Sequence, residues 1–216
     1  MEVVAHTILR LIIGCGHQHG QEVNKALFKL DRELVQVENV VASASLDHNL
    51  DLEVVSRVLP SGKYNPEEFP GVIYQLKNPK AAGLIFSSGK IVCAGAKSER
   101  QAKRALNKIV DELRMNGVVI VGKPAIKVQN VVASVEIGGT IDLEGAASLL
   151  ERTLYDPEQF PGLILRMNDP PITFLLFSKG KIVCAGAKSE KDLYRGLEEL
   201  EKILVENKLI FFDEAR

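Results

Sequence analysis

The sequence GKIVCAGAKSE occurs twice in this chain, at Gly89–Glu99 and again at Gly180–Glu190. The two copies are 91 residues apart, and other short segments recur at the same offset without a gap. Those segments include NVVAS at Asn39–Ser43 and Asn130–Ser134, and FPG at Phe69–Gly71 and Phe160–Gly162. Repetition over this length predicts two copies of one unit, residues 34–122 and 125–213.

The link between the two copies is the short stretch Gly122-Lys123-Pro124. Two like units joined so closely predict two halves packed with pseudo-two-fold symmetry. Residues 1–33 belong to neither copy and are interpreted as an N-terminal extension, with flexible chain as one interpretation. Within it, Cys15, His17 and His19 resemble a metal-binding tract, but a lone cluster in a Gly-rich stretch favours flexible chain over zinc.

The composition is that of an ordinary globular protein, with 46% hydrophobic residues, 25% charged residues and a net charge of -1. Any nucleic-acid binding must therefore depend on where Lys and Arg are placed. The 3 cysteines are too few for a disulfide scaffold and fit a reducing compartment. No apolar run reaches the roughly 18 residues of a membrane helix, so we expect no membrane partner. The apolar stretch Thr7–Gly14 is short and no A-x-A-like site follows it, so we expect no secretory signal.

Each unit is predicted to begin with a strand and a short helix. Val35–Leu46 is rich in β-branched residues, which favours a strand. Asp51 is a suitable N-cap for a helix that ends near Leu59. Turn residues between Pro60 and Pro66 then interrupt the chain. Three more strands are predicted at Gly71–Leu76, Ala81–Phe86 and Lys90–Ala96.

A long helix closes each unit. Ser98 and Gln101 have the spacing of a capping box, and Asn116-Gly117 is a C-cap signal. One apolar helical face follows in each copy: Ala102, Leu106, Ile109 and Leu113, then Leu193, Leu197, Leu200 and Leu204. We therefore predict an α+β fold of two pseudo-symmetric β-α-β4-α repeats, in which a curved antiparallel sheet carries the helices.

The predicted sheet has apolar residues on both of its faces. In the strand Lys90–Ala96, Ile91 and Cys93 point one way while Val92 and Ala94 point the other. Antiparallel sheets usually bury one face and expose the other to water, and two helices per repeat cover one face only. The second face is therefore expected to be exposed or to meet a partner, and it carries Leu84, Phe86, Val92 and their copies.

Three kinds of partner are considered for this second face: a membrane, a protein and DNA. A membrane is disfavoured because basic and aromatic anchors are needed at its edge and the chain has no Trp. A protein partner, or a second copy of the chain when it is free, is compatible with an apolar sheet. The minor groove of DNA is the third choice, since it is contacted by apolar and amide groups and kinked by apolar wedges.

The motifs N-V-V-A-S, F-P-G and L-[IL]-F-S-x-G-K-I-V-x-x-G-A-K, each present twice, resemble the core of the TATA-box-binding protein family, of archaeal type. The resemblance covers about Val35 to Phe212. It implies a saddle-shaped sheet that lies on the minor groove of TATA-box DNA with helices on its convex face, and the family is itself a standard example of this binding mode. It implies a non-enzymatic, cytoplasmic, nucleoid-associated transcription factor, without cofactor or metal.

The resemblance also implies roles for individual residues. Phe69 with Phe86, and Phe160 with Phe177, are the expected intercalating pairs. Asn39 and Asn130 are expected to donate to the A N3 and T O2 acceptors near the pseudo-dyad. The expected dry floor of the groove contact is Val41, Leu84, Val92, Val132, Leu175 and Val183. The expected phosphate ligands are Lys90, Lys97, Arg166, Lys181 and Lys188.

One loop and one pair of substitutions complete the comparison with the family. The loop residues Asp156, Glu158 and Gln159 match the second-repeat stirrup that binds transcription factor B, which leads on to RNA polymerase. Ala94 and Ala185 stand where many members carry a threonine, which removes one polar base contact per half and leaves the fine promoter preference open.

Two alternatives to DNA binding follow from the residues. The first is a pseudo-symmetric scaffold whose apolar sheet face binds another protein or a second copy. The second is a thiol-dependent enzyme that uses Cys93 or Cys184. Each of these cysteines shares a strand face with a neighbouring isoleucine, which favours the interpretation of both as small buried hydrophobes.

Overall fold

A computed structural model of the chain describes residues 32–212. After a short 3-10 helix at Arg32–Leu34, the first repeat contains β1 (Gln36–Ser45), α1 (Leu52–Val58), β2 (Gly62–Lys63), β3 (Gly71–Lys77), β4 (Lys80–Phe86), β5 (Lys90–Ala96) and α2 (Glu99–Met115). The second contains β6 (Ala125–Glu136), β7 (Thr140–Ile141), α3 (Leu143–Leu149), β8 (Thr153–Leu154), β9 (Gly162–Arg166), β10 (Thr173–Phe177), β11 (Lys181–Ala187), α4 (Glu190–Glu206) and β12 (Ile210–Phe211).

Ten of the strands form one antiparallel sheet in the order β2-β3-β4-β5-β1-β6-β11-β10-β9-β8. The predicted α+β fold with two β-α-β4-α repeats is therefore confirmed. Val40 on β1 pairs with Val131 on β6, and these residues hold the same place in their repeats. The pseudo-two-fold axis passes between them, so the two repeats are joined edge to edge through the middle of the sheet.

Local sequence signals account for the helix starts. The Asp51 carboxylate accepts from the amides of Glu53 and Val54, which satisfies donors that the first helical turn leaves free. The Ser98 hydroxyl accepts from the Gln101 amide at 3.1 Å. The predicted capping box is only half formed, because the Gln101 side chain accepts from the amide of Lys97, at 2.6 Å, instead of that of Ser98.

Short strands were missed by the sequence analysis. Gly62, assigned there to a run of turns, begins β2 and pairs with Tyr74 on β3. In the second repeat β8 lies at the matching edge, and β7 pairs with β12 as a separate two-stranded sheet. Strands of two residues are too short to show an alternating pattern, so only their neighbours in the fold identify them.

The core lies between the sheet and the helices. Ile85, Ile91 and Cys93 are fully buried on the helical side of the first repeat, and the eight residues predicted to form the apolar faces of the long helices are buried with them. Within residues 32–212 no helix is long and apolar enough to cross a membrane. Cys15, His17 and His19 lie outside the described residues.

The two long helices begin beside each other at the pseudo-dyad. The amide of Glu99 donates to the Glu190 carboxylate at 2.8 Å, and the amide of Glu190 donates to the Glu99 carboxylate at 2.6 Å. Each carboxylate thereby caps the first turn of the other helix, where the helix dipole favours a negative charge. The two repeats are thus held together on their helical side as well as through the sheet.

A candidate nucleic-acid interface

The face of the sheet opposite the helices is a continuous surface that crosses both repeats. Residues paired across neighbouring strands share a face, and Leu84, Val92 and Ser43 are paired in this way on β4, β5 and β1. Leu175, Val183 and Ser134 repeat the arrangement on β10, β11 and β6. We call this surface the concave face, and it also carries Asn39, Val41, Ala94, Asn130, Val132 and Ala185.

The four predicted intercalating phenylalanines form two matched pairs. The ring centroids of Phe69 and Phe86 are 5.7 Å apart, and those of Phe160 and Phe177 are also 5.7 Å apart. All four rings are half-buried, and none of them belongs to the core beneath the helices. The arrangement places one aromatic pair on each repeat, at a distance from the helical side.

Each phenylalanine pair packs over a glycine. A Cβ added at Gly71 would lie 2.9 Å from Phe69 Cε1 and 3.3 Å from Phe86 Cδ1. At Gly162 an added Cβ would lie 2.8 Å from Phe160 Cε1. The F-P-G motif thus supplies both a ring and the space that it occupies. The repeated F-P-G motif does not by itself predict this role for its glycine.

The side-chain amides of Asn39 and Asn130 are held by backbone groups. Asn39 Oδ1 accepts from the amide of Gly95 at 2.7 Å, and Asn130 Oδ1 accepts from the amide of Gly186 at 2.8 Å. Because a backbone N–H can only donate, it determines which end of each side-chain amide is the oxygen. The Nδ2 group of each asparagine is then the part left to contact a ligand, and it offers donors.

The predicted floor is less uniformly exposed than expected. Val41, Leu84, Val92 and Leu175 are half-buried, but Val132 is 1% exposed and Val183 is 4% exposed. Val183 is the copy of Val92 on the face expected to be exposed or to meet a partner, and the chain itself shields both Val183 and Val132.

Neither valine joins the core cluster on the helical side. Ser134 pairs with Val183, and its hydroxyl donates to the Glu38 carboxylate at 2.8 Å. The long Glu38 side chain from β1 therefore reaches over this part of the sheet. Cross-strand neighbours of this kind shield a short β-branched side chain.

The predicted phosphate ligands lie around the concave face. Lys90 and Arg166 are exposed and Lys181 is half-buried, and strand alternation places all three on the concave side. Lys97 and Lys188 are exposed at the ends of β5 and β11. Their ammonium groups donate to the backbone carbonyls of Glu38 and Gln129 at 2.9 and 2.8 Å.

A polar pair at the centre of the concave face was missed. Glu38 binds the Ser134 hydroxyl, and its counterpart Gln129 donates to the Ser43 hydroxyl at 2.8 Å. Burial opposes ionisation of Glu38, but hydrogen bonds from Ser134 and Lys97 and the charges of Lys97 and Lys181 together hold its pKa below the usual value. The sequence contains one signal for this pair, because the repeat offset aligns the polar residues Glu38 and Gln129.

The stirrup loop of the second repeat is shaped by Asp156. Its carboxylate accepts from the amide of Glu158 at 3.2 Å and from the side chain of Gln159 at 2.8 Å. Asp156 is half-buried, whereas Glu158 and Gln159 are exposed. Asn65 forms the matching turn in the first repeat, with its side chain accepting from the amide of Glu67. Asp156 therefore organises the loop and the other two residues are presented by it.

The two described cysteines face the core. Cys93 and Cys184 are fully buried, and burial raises the pKa of their thiols to about 11 and about 12. Neither thiol ionises near neutral pH, which a nucleophilic role would need. Among residues 32–212 there is also no cluster of three or more metal-binding side chains.

Comparisons with known proteins match the chain to one protein family. A family model described as Transcription factor TFIID (or TATA-binding protein, TBP) matches residues 34–115 and 125–207. The TATA-box-binding protein of Pyrodictium occultum is 48% identical over 76% of this chain and 82% of its own length. That of Methanothermobacter thermautotrophicus is 48% identical over 82% of this chain and 97% of its own length. The solved structure of Methanococcus jannaschii TBP superposes with a TM-score of 0.72 at 43% identity, over 80% of this chain and 98% of that one.

Proposed function

This chain belongs to the TATA-box-binding protein family, and from that membership we propose that its concave face binds TATA-box DNA in the minor groove and bends it. The family consists of general transcription factors and not of enzymes. In this proposal Phe69 with Phe86 and Phe160 with Phe177 enter base steps at the two ends of the site. Insertion of apolar wedges partly unstacks a step and kinks the duplex.

One observation carries the proposal: two aromatic pairs with the same 5.7 Å spacing are mounted on the face away from the helices, one in each repeat. Phenylalanines whose purpose is folding are normally buried, as Phe174 is here at 0% exposure. In both repeats the phenylalanine rings pack against a glycine and stay half-exposed, which favours the interpretation that they contact a ligand. A bent minor groove offers two kinked steps related by an approximate dyad, which matches the symmetry of the chain.

The polar groups of the concave face fit the same ligand. Asn39 and Asn130 present donors near the pseudo-dyad, where A·T pairs offer only the acceptors A N3 and T O2. Val41, Leu84, Val92, Val132, Leu175 and Val183 provide the apolar surface around them. Lys90, Lys97, Arg166, Lys181 and Lys188 surround this surface and are proposed to contact phosphates, which makes the affinity fall with salt.

Recruitment of the transcription machinery is proposed to use the second stirrup. Glu158 and Gln159 are exposed beside the Phe160 ring, and Asp156 holds the loop that presents them. We assign to this loop the docking of transcription factor B, and through it of RNA polymerase. An exposed carboxylate and amide suit a polar, basic partner surface that stays accessible while the concave face is covered by DNA.

The test is DNA bending measured by energy transfer between labels at the two ends of a TATA-containing duplex. Phe86→Ala and Phe177→Ala should reduce the bend because one wedge of each pair is lost. Both rings lie outside the core, so the free energy of unfolding should change by less than in the control Phe174→Ala. That control removes a fully buried ring, which typically costs about 3–5 kcal/mol. An unchanged bend in both phenylalanine variants would reject the proposed intercalation.

A second candidate function is favoured by the half-exposed apolar floor, which also suits a protein partner or a homodimer of the free chain. Sedimentation with and without TATA-box DNA separates the two. If the concave face is a DNA site, any self-association should disappear when DNA is added, because both use one surface. Association that persists beside bound DNA would favour the scaffold.

A further inference from the structure

We propose that the backbone N–H groups of Gly95 and Gly186 are positioning groups that make Asn39 and Asn130 selective for A·T pairs over G·C pairs. The inference rests on the proposed minor-groove function and assigns part of its base selectivity to two residues outside the predicted site. Gly95 and Gly186 act through the asparagines and are not themselves placed against DNA.

Both glycines lie at irregularities in the pairing of the central strands. Val40 pairs with Ala96 and Ala42 pairs with Cys93, so β5 has one more residue in this interval than β1. In the second repeat the pairing shifts in the same way between Cys184 and Ala187. An extra residue of this kind is a β-bulge, which removes one N–H from the strand ladder. In each repeat the N–H of the glycine is used instead by the asparagine side chain.

The backbone conformation explains why glycine stands at these positions. Gly95 has φ +91° and Gly186 has φ +103°, a region that residues with a Cβ rarely adopt. Space is not the constraint at Gly95, because the nearest atom to an added Cβ would be Ala81 Cα at 3.8 Å. The glycine therefore allows the bulge conformation, and this conformation directs its N–H toward the asparagine side chain.

The orientation of the side-chain amide decides whether it donates or accepts hydrogen bonds in the groove. A free asparagine amide has a donor end and an acceptor end and turns either one toward a base. With Oδ1 held by a glycine N–H, only donors face the groove, and they match A N3 and T O2. Guanine adds an N2 amino donor at this place, and a donor facing a donor is unfavourable. Without the glycine N–H, the amide is free to turn and accept from guanine.

The experiment removes the N–H without changing the side chains. Glycolic acid is incorporated in place of both Gly95 and Gly186, so that each amide N–H becomes an ester oxygen. Replacing both glycines makes the result independent of the orientation in which the protein binds. The matched control carries esters at Gly89 and Gly180, whose N–H groups donate to Phe86 and Phe177 carbonyls at 3.0 and 2.9 Å in turns away from the asparagines.

The readout is the ratio of affinities for two duplexes that differ at the central base pairs. One contains inosine·C pairs, which present the same minor-groove acceptors as A·T, and the other contains G·C pairs, which add only the N2 amino group. Wild-type protein and the control should prefer inosine·C by about tenfold or more. The double ester at Gly95 and Gly186 should bring this ratio close to one while binding the A·T duplex within a few fold of wild type.

Two outcomes overturn the inference while leaving the proposed function intact. One is a wild-type ratio near one, and the other is an unchanged ratio in the double ester. Failure of the wild-type protein to bind the A·T duplex would instead reject the proposed function. If the double ester does not fold, the two single esters at Gly95 and at Gly186 take its place. Each should lower the preference for inosine·C relative to wild type, and an unchanged ratio in both would overturn the inference.

Discussion

Glu38 and Gln129 hold the same place in the two repeats, yet only the first is charged. Each reaches across the pseudo-dyad to a serine of the other repeat: the Glu38 carboxylate accepts from Ser134, and the Gln129 amide donates to Ser43. The charge of Glu38 adds an ion pair with Lys97, at 3.1 Å. The first repeat thus has a titratable charge near the centre of the concave face that the second repeat lacks at the matching position.

Glu38→Gln is expected to reduce stability slightly at neutral pH and not at acid pH. The pKa of Glu38 is lowered in the folded protein, so its contribution is complete above the usual pKa of about 4.3 and is lost as the pH falls through the lowered value. At neutral pH the ion pair is worth a few tenths of a kcal/mol, roughly, because Lys97 is largely exposed.

Urea unfolding of both proteins over a series of pH values from neutral into the acid range measures this difference. The two proteins should converge in the acid. A gap of constant size across the range would mean that packing, and not the charge of Glu38, is responsible.

At the level of secondary structure, most elements can be explained from nearby residues. Asp51 and Ser98 start helices because their side chains accept from amides two or three residues ahead, and both starts were predicted. The Glu99 and Glu190 carboxylates were not predicted as caps. Each acts on a helix 91 residues away, so their role depends on how the repeats meet.

Glu99→Ala and Glu190→Ala should each destabilise the fold by about 1 kcal/mol, the usual value of a helix cap. Each substitution leaves the first amide of the opposite helix without its acceptor, at an end where the dipole favours negative charge. Glu206→Ala is the matched control, because this exposed glutamate ends α4 instead of beginning it. Equal unfolding midpoints for all three variants and the wild type would contradict the reciprocal caps.

For the molecule as a whole, duplication creates nearly equivalent halves, which suit the proposed DNA ligand with its own approximate dyad. The halves differ at Glu38 against Gln129 and at Gln75 against Arg166. Only the second repeat carries Asp156 and Gln159 in its stirrup, where the first has Asn65 and Glu68. The differences on the concave face are few, and those in the stirrups lie in the loops that we propose to dock transcription factor B.

We therefore expect the protein alone to bind a near-palindromic TATA site in both orientations, and transcription factor B to select one of them. A cleavage reagent attached at one stirrup would report this as cuts on both sides of the site, reduced to one side when transcription factor B is added. One-sided cutting by the protein alone would show that the concave face already distinguishes the two directions.

Much of this protein can be predicted from its sequence, because strands, helix caps and turns depend on residues within a few positions of each other. The surplus apolar face and the helical stripe at Leu106 and Ile109 lie in that category, whereas the repeat of GKIVCAGAKSE is found by comparing two distant segments of the sequence. The four phenylalanines recur in both copies, and the family resemblance assigns them to intercalation. None of the four belongs to the core beneath the helices, and their intercalation stays a prediction.

Contacts between residues far apart in the chain required the folded structure. Gly95 holds Asn39 over 56 positions and Ser134 binds Glu38 over 96, and neither contact leaves a trace in the local pattern. The burial of Val132 and Val183 and the pairing of two-residue strands have the same origin. The physical reason is that alternation of side chains specifies which face a residue occupies, whereas the neighbours that orient or shield it there are set by strand register and by the packing of one repeat against the other.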